Sequence, residues 1–372
     1  MLTRRNKIDL AKQRLASATP PRPRYSLPCI QEGAVLEFCT SCHGEMKHVR
    51  DCDLHDRCTR GPNQVETASC VTCASYQPET PSWSSGLSLK FDEYSLYPNL
   101  PGKRFNSSLI QWGGGFVLCW RNGWAGSDLF VCRMNIHLQP VGSAVRLDIR
   151  HPDCSYGRED PRLFVYQNQL HVSLTGVVGR DNRLSHTNVL YVRLNDDLTV
   201  ARVFSPRYKE RAPSEKNWAF FEHDGRLHCV YSILPHRVLE LDGERVRTVY
   251  ETQEQFTWLG GEPRGGAPPV RVGNEWWHFC HDRVEAGGLR MYRTLLYAFD
   301  AEPPFTIRRY VPRPLMAADP TNKPSDQYAA VVWTAGAVQQ NDTWLLCNGI
   351  HDRWTEIHDW GHDELNRRLI QV

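Results

Sequence analysis

From about residue 86 onward, short runs of aromatic and β-branched residues alternate with Gly, Asn and Asp turns, and no long stretch keeps a helical period. Five strand–turn–strand units stand out: Ser108–Trp120, Arg162–Leu174, Trp218–Tyr231, Pro269–Phe279 and Gly336–Leu346. Their turns fall roughly 50 to 70 residues apart, a spacing that suits propeller blades. Further hairpins fill the gaps, as at Val238–Val249. The pattern predicts an all-β protein, a five-bladed β-propeller over residues 86–362, with residues 363–372 as a short helix or tail. A β-sandwich does not account for five similar hairpins.

The cysteines divide the chain. Seven of the 13 lie between residues 29 and 73, and a Pro/Ser-rich stretch from Pro78 to Ser85 follows them. Cys39-x-x-Cys42 and Cys70-x-x-Cys73 form two knuckles, with Cys52 and Cys58 between them. Two such turns can complete a tetrahedral thiolate site, so residues 25–80 read as a module built on structural zinc. An iron–sulfur cluster or unmetallated thiols are the alternatives. So short a segment has little core, and metal would supply its folding energy. Residues 1–24 carry seven Lys/Arg against one Asp, without an apolar run, and read as a basic flexible tail rather than a secretory signal. No apolar stretch reaches the ~20 residues that span a bilayer. His362-Asp363-Glu364-Leu365 spells a retention signal but is internal. A cytoplasmic protein is expected. The net charge of +2, with dispersed basic residues, gives no case for nucleic acid.

The polar residues gather at strand ends. First strands open on Glu159-Asp160, Lys216-Asn217 and Arg264-Gly265-Gly266. Second strands run out into Arg121-Asn122, Thr175, His236-Arg237, His281-Asp282-Arg283 and His351-Asp352-Arg353. In an antiparallel hairpin these two ends lie on the same side of the sheet, so the clusters should converge on one pocket. Gly157–Phe164 is the densest of them, with two carboxylates and two guanidinium groups set before an apolar strand. On an extended backbone Glu159 and Asp160 face opposite ways, so only one should meet a substrate. Gly265 and Gly266 would let the backbone approach a sugar. Trp218, Trp276 and Trp277 are either sugar-stacking platforms or core.

Glu-Asp-Pro-Arg before a strand, Lys-Asn before an aromatic strand, Gly-Gly-x-Pro-Pro before another, and then Ala298-Phe-Asp-x-x-Pro-Pro-Phe305 occur here in that order. In this the chain from about residue 90 to 360 resembles glycoside hydrolase family 130, the β-mannoside phosphorylases and mannosidases, and the related β-1,2-mannosyltransferases. The resemblance implies a five-bladed propeller and Asp160 as general acid, its proton passing through a sugar hydroxyl, with Glu159 bracing an arginine. It implies inverting phosphorolysis, or the reverse synthesis, of a β-mannoside-type linkage with inorganic phosphate as co-substrate. Lys216 matches the phosphate-side lysine, His281 a histidine after the fourth-blade strand, and Arg162 the arginine of Asp-Pro-Arg. Arg180 or Arg183 would serve as the phosphate arginine, while Asn217, His236, Arg264, His351 and Asp352 are candidate contacts to oligosaccharide or sugar phosphate. Hydrolysis would need a second carboxylate, from Asp282 or Asp352. Mannosyl transfer from a nucleotide-sugar and a non-catalytic glycan-binding propeller are the other readings.

Overall fold

The computed structural model describes residues 103–123, 126–180, 183–253, 258, 261–286, 289–318 and 328–372, with the backbone of four short strands nearer the N-terminus. Three of these, Pro28–Gln31, Ala34–Phe38 and Met46–His48, form an antiparallel sheet. Cys39, Cys42, Cys52, Cys58, Cys70 and Cys73 lie outside the described residues, as does the basic tail. Among the described residues no helix is long and apolar enough to cross a membrane.

The remainder is strand upon strand, in meanders whose sequence neighbours are sheet neighbours. The first runs Arg104–Trp112, Gly115–Asn122, Asp128–Met134 and Pro140–Arg146. The second runs Gly157–Tyr166, Gln169–Arg180, Arg183–Leu194 and Val200–Phe204. The third comprises Ala219–His223, Arg226–Ser232, His236–Asp242 and Arg245–Thr252. A composite eleven-stranded sheet follows. One flank holds Glu262–Arg264 and Val270–Val272 against Glu275–Ala286, then Leu289–Asp300. The other holds Tyr328–Gln340, Thr343–Ile350 and Trp354–Gly361, with Ser88–Phe91 pairing on the last of these. The flanks join where Leu289–Asp300 meets Tyr328–Gln340 in parallel, so the sheet count is lower than the hairpin count. Each of the five predicted hairpins falls on a pair of antiparallel strands.

Burial explains the residue pattern. Phe116 to Trp120 is one continuous apolar run and is wholly buried, because that strand has neighbours on both faces. The outermost strands, such as Pro140–Arg146, are largely exposed. Trp218, Trp276 and Trp277 belong to this core, at 3%, 8% and 1% exposure, which removes them as sugar platforms. Trp277 stacks on Trp344 at 5.4 Å with the rings 2° from parallel, and the His362 ring packs against both, 4.9 Å from Trp277 and 6.4 Å from Trp344. His362 opens the helix His362–Arg368, which carries Asp363 and Glu364 in its first turn and Arg367 and Arg368 in its last, as the helix dipole favours.

One charged pair is sealed inside the composite sheet. Asp282 and Arg293 sit opposite each other on paired strands, both buried, with Arg293 Nε donating to Asp282 Oδ1 at 3.1 Å. The Gly261 N–H also donates to Asp282, at 3.1 Å. Removing one partner of a buried pair leaves the other charge desolvated, so Asp282→Ala should cost about 3–5 kcal/mol. Chemical denaturation would read that as a lowered midpoint.

Candidate active site

A cavity of about 440 Å³ opens at one end of the meanders. It is lined from every one of them: Asn106 and Arg121, then Glu159, Asp160 and Thr187, then Lys216 and Asn217, then Arg264, His281 and Tyr292, then Trp333 and Asp352. A second cavity of about 260 Å³ adjoins it and shares Lys216, Asn217 and Arg264. The other halves of the same first strands border a third, largely apolar cavity that includes Leu109, Leu163, Phe220, Val270 and Val338.

Three side chains enter the pocket from the same local backbone. Asn106, Asp160 and Asn217 have φ of 54°, 54° and 65°, the left-handed region that non-glycine residues seldom adopt. Each lies three residues before a buried apolar residue of its strand: Leu109, Leu163 and Phe220. At the first two the strand register also slips, between Phe105 and Ser108 and opposite Ser173–Thr175. Such a bulge re-aims side chains. It resets the alternation between Glu159 and Asp160, so both line the cavity. The expectation that only one could face a substrate fails here, because the backbone is not extended at Asp160.

The charges form two linked groups. The Asn106 Nδ2 amide donates to Asp160 Oδ1 at 3.1 Å and to Asp352 Oδ1 at 3.0 Å, bridging two carboxylates. Glu159 accepts from Arg121 at 2.8 Å and from Lys216 at 3.0 Å. Arg121 also stands 3.9 Å from Asp160. Burial disfavours the Asp160 carboxylate, but Lys216, Arg121, Arg162 and the Asn106 hydrogen bond outweigh it and hold its pKa below the ordinary value. Asp352 goes the other way: burial and then the Asp160 charge push its pKa up to about 6. Burial likewise works against the Lys216 ammonium, yet Asp160 and Glu159 raise its pKa, so it is charged. His281 is driven down to about 3 by burial, then by Arg162 and Arg264, and is neutral.

Asp160, Lys216, Asn217, Arg264, His281 and Asp352 are thus gathered in one place. Four other candidates are not. Arg162 is 2% exposed and turned into the wall, where it binds backbone and Asn217. Asp282 is committed to Arg293, as described. His236 is buried between the Phe305 carbonyl and the Tyr297 hydroxyl. His351 is buried and its Nδ1 accepts from the Val331 N–H, 3.3 Å away. The Arg180 side chain lies outside the description. Gly265 and Gly266 face protein rather than ligand: a Cβ on Gly265 would meet the Asn217 carbonyl at 2.0 Å, and one on Gly266 the Phe279 carbonyl at 2.4 Å. Asn106, Tyr156, Tyr292 and Trp333 were not expected in the pocket. The signal for Asn106 was present, since it repeats the Asx-x-x-apolar spacing of Asp160 and Asn217. The aromatic residues carried none.

No family model and no curated protein matches this sequence. Solved structures do match in fold. The β-1,2-mannobiose phosphorylase from Listeria innocua superposes with a TM-score of 0.57 at 14% identity, over 76% of this chain and 99% of that one. A structure from the GH130 mannoside phosphorylases, described for hydrolases that target β-1,2 mannosidic linkages in Candida mannan, gives 0.55 at 12% identity, over 70% and 85%. MPT-1, a GDP-Man-dependent mannosyltransferase from Leishmania mexicana, gives 0.51 at 13% identity, over 74% and 89%. The strands of this chain carry the fold that such phosphorylases, hydrolases and transferases share.

Proposed function

We propose that this chain is a carbohydrate-active enzyme, a five-bladed β-propeller that breaks or forms a β-mannoside-type linkage with inversion, phosphate taking the mannosyl group. The observation that carries this is the Asn106-bridged Asp160/Asp352 pair facing Lys216, Arg121 and Arg264 across one cavity. The pair titrates as a unit and holds one proton at mildly acid pH. Asp352 holds that proton at rest, and it moves to Asp160 before passing, through a sugar hydroxyl, to the leaving glycosidic oxygen. A phosphate oxygen attacks the anomeric carbon from the opposite face as the glycosidic bond breaks. Lys216 and Arg264 supply the positive charge an attacking phosphate needs.

Hydrolysis fits less well. An inverting glycosidase keeps its two carboxyl groups roughly 6.5–9.5 Å apart to hold a water. Here the two oxygens lie 3.1 and 3.0 Å from one amide nitrogen and can be no farther apart than those legs laid end to end. Asp282 is sealed in its ion pair, and Glu159 already holds two cations. Transfer from a nucleotide-sugar is the second reading. It is favoured by the adjoining cavity of about 260 Å³, which shares Lys216 and Arg264 and leaves room for a larger leaving group. For residues 25–80 we propose a structural zinc held by four of the six spaced cysteines. Metal analysis of the full chain should find about one zinc, retained through gel filtration, and iron with sulfide would overturn that assignment.

Incubation of the protein with β-1,2-mannobiose should release mannose 1-phosphate only when phosphate is present. Release of free mannose without phosphate would sink the phosphorolysis reading, and turnover of GDP-mannose alone would favour transfer. Asp160→Asn should lower kcat/KM by about 10²–10⁴-fold, the usual worth of a positioned acid.

Because Asp352 titrates near 6, kcat/KM should fall as pH rises through that value. Asp352→Asn should lack this limb, and comparing the two proteins cancels the ionisation of phosphate itself. Stability follows the same sign. A carboxyl whose pKa is raised by folding stabilises while protonated, and that contribution is lost between the ordinary carboxylate range and about 6. Asp352→Asn should therefore raise Tm more at pH 8 than at pH 4.

A further inference from the structure

Behind the pocket wall, buried polar side chains form a continuous chain that the proposed chemistry does not use. His236 Nδ1 lies 2.8 Å from the Phe305 carbonyl, and its Nε2 lies 3.2 Å from the Tyr297 hydroxyl. That hydroxyl is 2.8 Å from His278 Nδ1, and His278 Nε2 accepts from the Gly266 N–H at 3.4 Å. The Gly266 carbonyl accepts from Arg162 Nε at 2.7 Å. Arg162 then donates from Nη1 to the Asp160 carbonyl at 3.0 Å and from Nη2 to Asn217 Oδ1 at 2.8 Å. His236, His278 and Tyr297 are all buried.

The chain has one consistent direction. A carbonyl only accepts, so His236 carries its proton on Nδ1, and its Nε2 must accept from the Tyr297 O–H. The Tyr297 oxygen then accepts from His278 Nδ1–H. This leaves His278 Nε2 as the lone pair that the Gly266 N–H requires. Both rings must be neutral. Burial depresses their pKa values, His236 to about 4 and His278 well below the ordinary value, which agrees.

At the pocket end, Arg162 grips two residues in left-handed conformations, Asp160 and Asn217. Such conformations cost of order 1–3 kcal/mol each and persist only when their surroundings over-determine them. We propose that the His236–Tyr297–His278 chain is a positioning device, holding Gly266 so that Arg162 clamps Asp160 and Asn217 in the geometry the pocket needs. Its bearing on turnover rests on the reading of the pocket given above. Its bearing on Arg162 does not.

The test uses the full chain with ¹⁵N-labelled histidine and arginine. Both His236 and His278 should be neutral Nδ1–H tautomers from pH 5 to 8; a charged ring or an Nε2–H tautomer at either position overturns the chain. Tyr297→Phe removes one oxygen and keeps the ring, and His278→Asn cuts the chain at its other link, at Gly266. Each should shift the Arg162 Nε–H resonance and lower kcat for mannobiose phosphorolysis about tenfold, with KM changed less than twofold. If both variants lower Tm while the Arg162 resonance and kcat stay at wild-type values, these residues only fill the core and the proposal fails. If wild-type protein turns over no mannoside, the functional reading fails instead, and the tautomers and the Arg162 resonance still decide this one.

Discussion

A single buried guanidinium sets the geometry of this pocket. Arg162 donates three hydrogen bonds, to the carbonyls of Gly266 and Asp160 and to the side chain of Asn217, and its face lies 4.7 Å from the Trp333 ring. Those partners come from different sheets, so one planar fork ties several parts of the fold together at the pocket wall. Burial lowers its pKa to about 10, against the pull of Asp160, so the group remains charged in neutral solution. A lysine could supply the charge but not three fixed donor directions. Because Arg162 is spent on protein atoms, the charges that face the cavity are left to Arg121, Lys216 and Arg264.

That division of labour separates two kinds of carboxylate. Glu159 is engaged by two cations, while Asp160 and Asp352 share one amide and oppose each other's ionisation. Environments that push neighbouring acids apart in pKa are a recurring way to hold a proton and a negative charge side by side. One Oδ1 of each acid is held within hydrogen-bond reach of the same amide, and in the proposed reaction that closeness bears on the choice of acceptor as well as on proton transfer.

Much of this was legible in the sequence, for physical reasons that can be named. Short apolar runs broken by Gly, Asn and Asp turns specify hairpins almost regardless of context, and the five hairpins fell where expected. Polar residues at the pocket ends of strands were legible too, because antiparallel pairing brings a strand's start beside its partner's end. What the residue types could not tell was depth. His236, Asp282 and His351 belong to the same polar clusters of the sequence as His281 and Asp352, yet they are buried away from the cavity. Arg162 and the two glycines face protein for a related reason. Their constraint is the close approach of backbone from strands distant in sequence, and spacing along one chain does not record it. The join between the two flanks of the composite sheet is likewise a parallel pairing with no local signature.

Asn106, Asp160 and Asn217 are one backbone device used three times, with an amide, an acid and an amide at its tip. Asn and Asp differ by one terminal group, NH₂ against oxygen, and have nearly the same shape. The scaffold therefore separates where a group is held from what it does. The bend fixes position and direction, and exchange of nitrogen for oxygen at a single atom decides whether that position gives a hydrogen bond, takes one, or carries a proton. In a fold of similar units, new chemistry would not require a new fold or even a new rotamer. It would require redistributing amides and acids among positions that already point the same way.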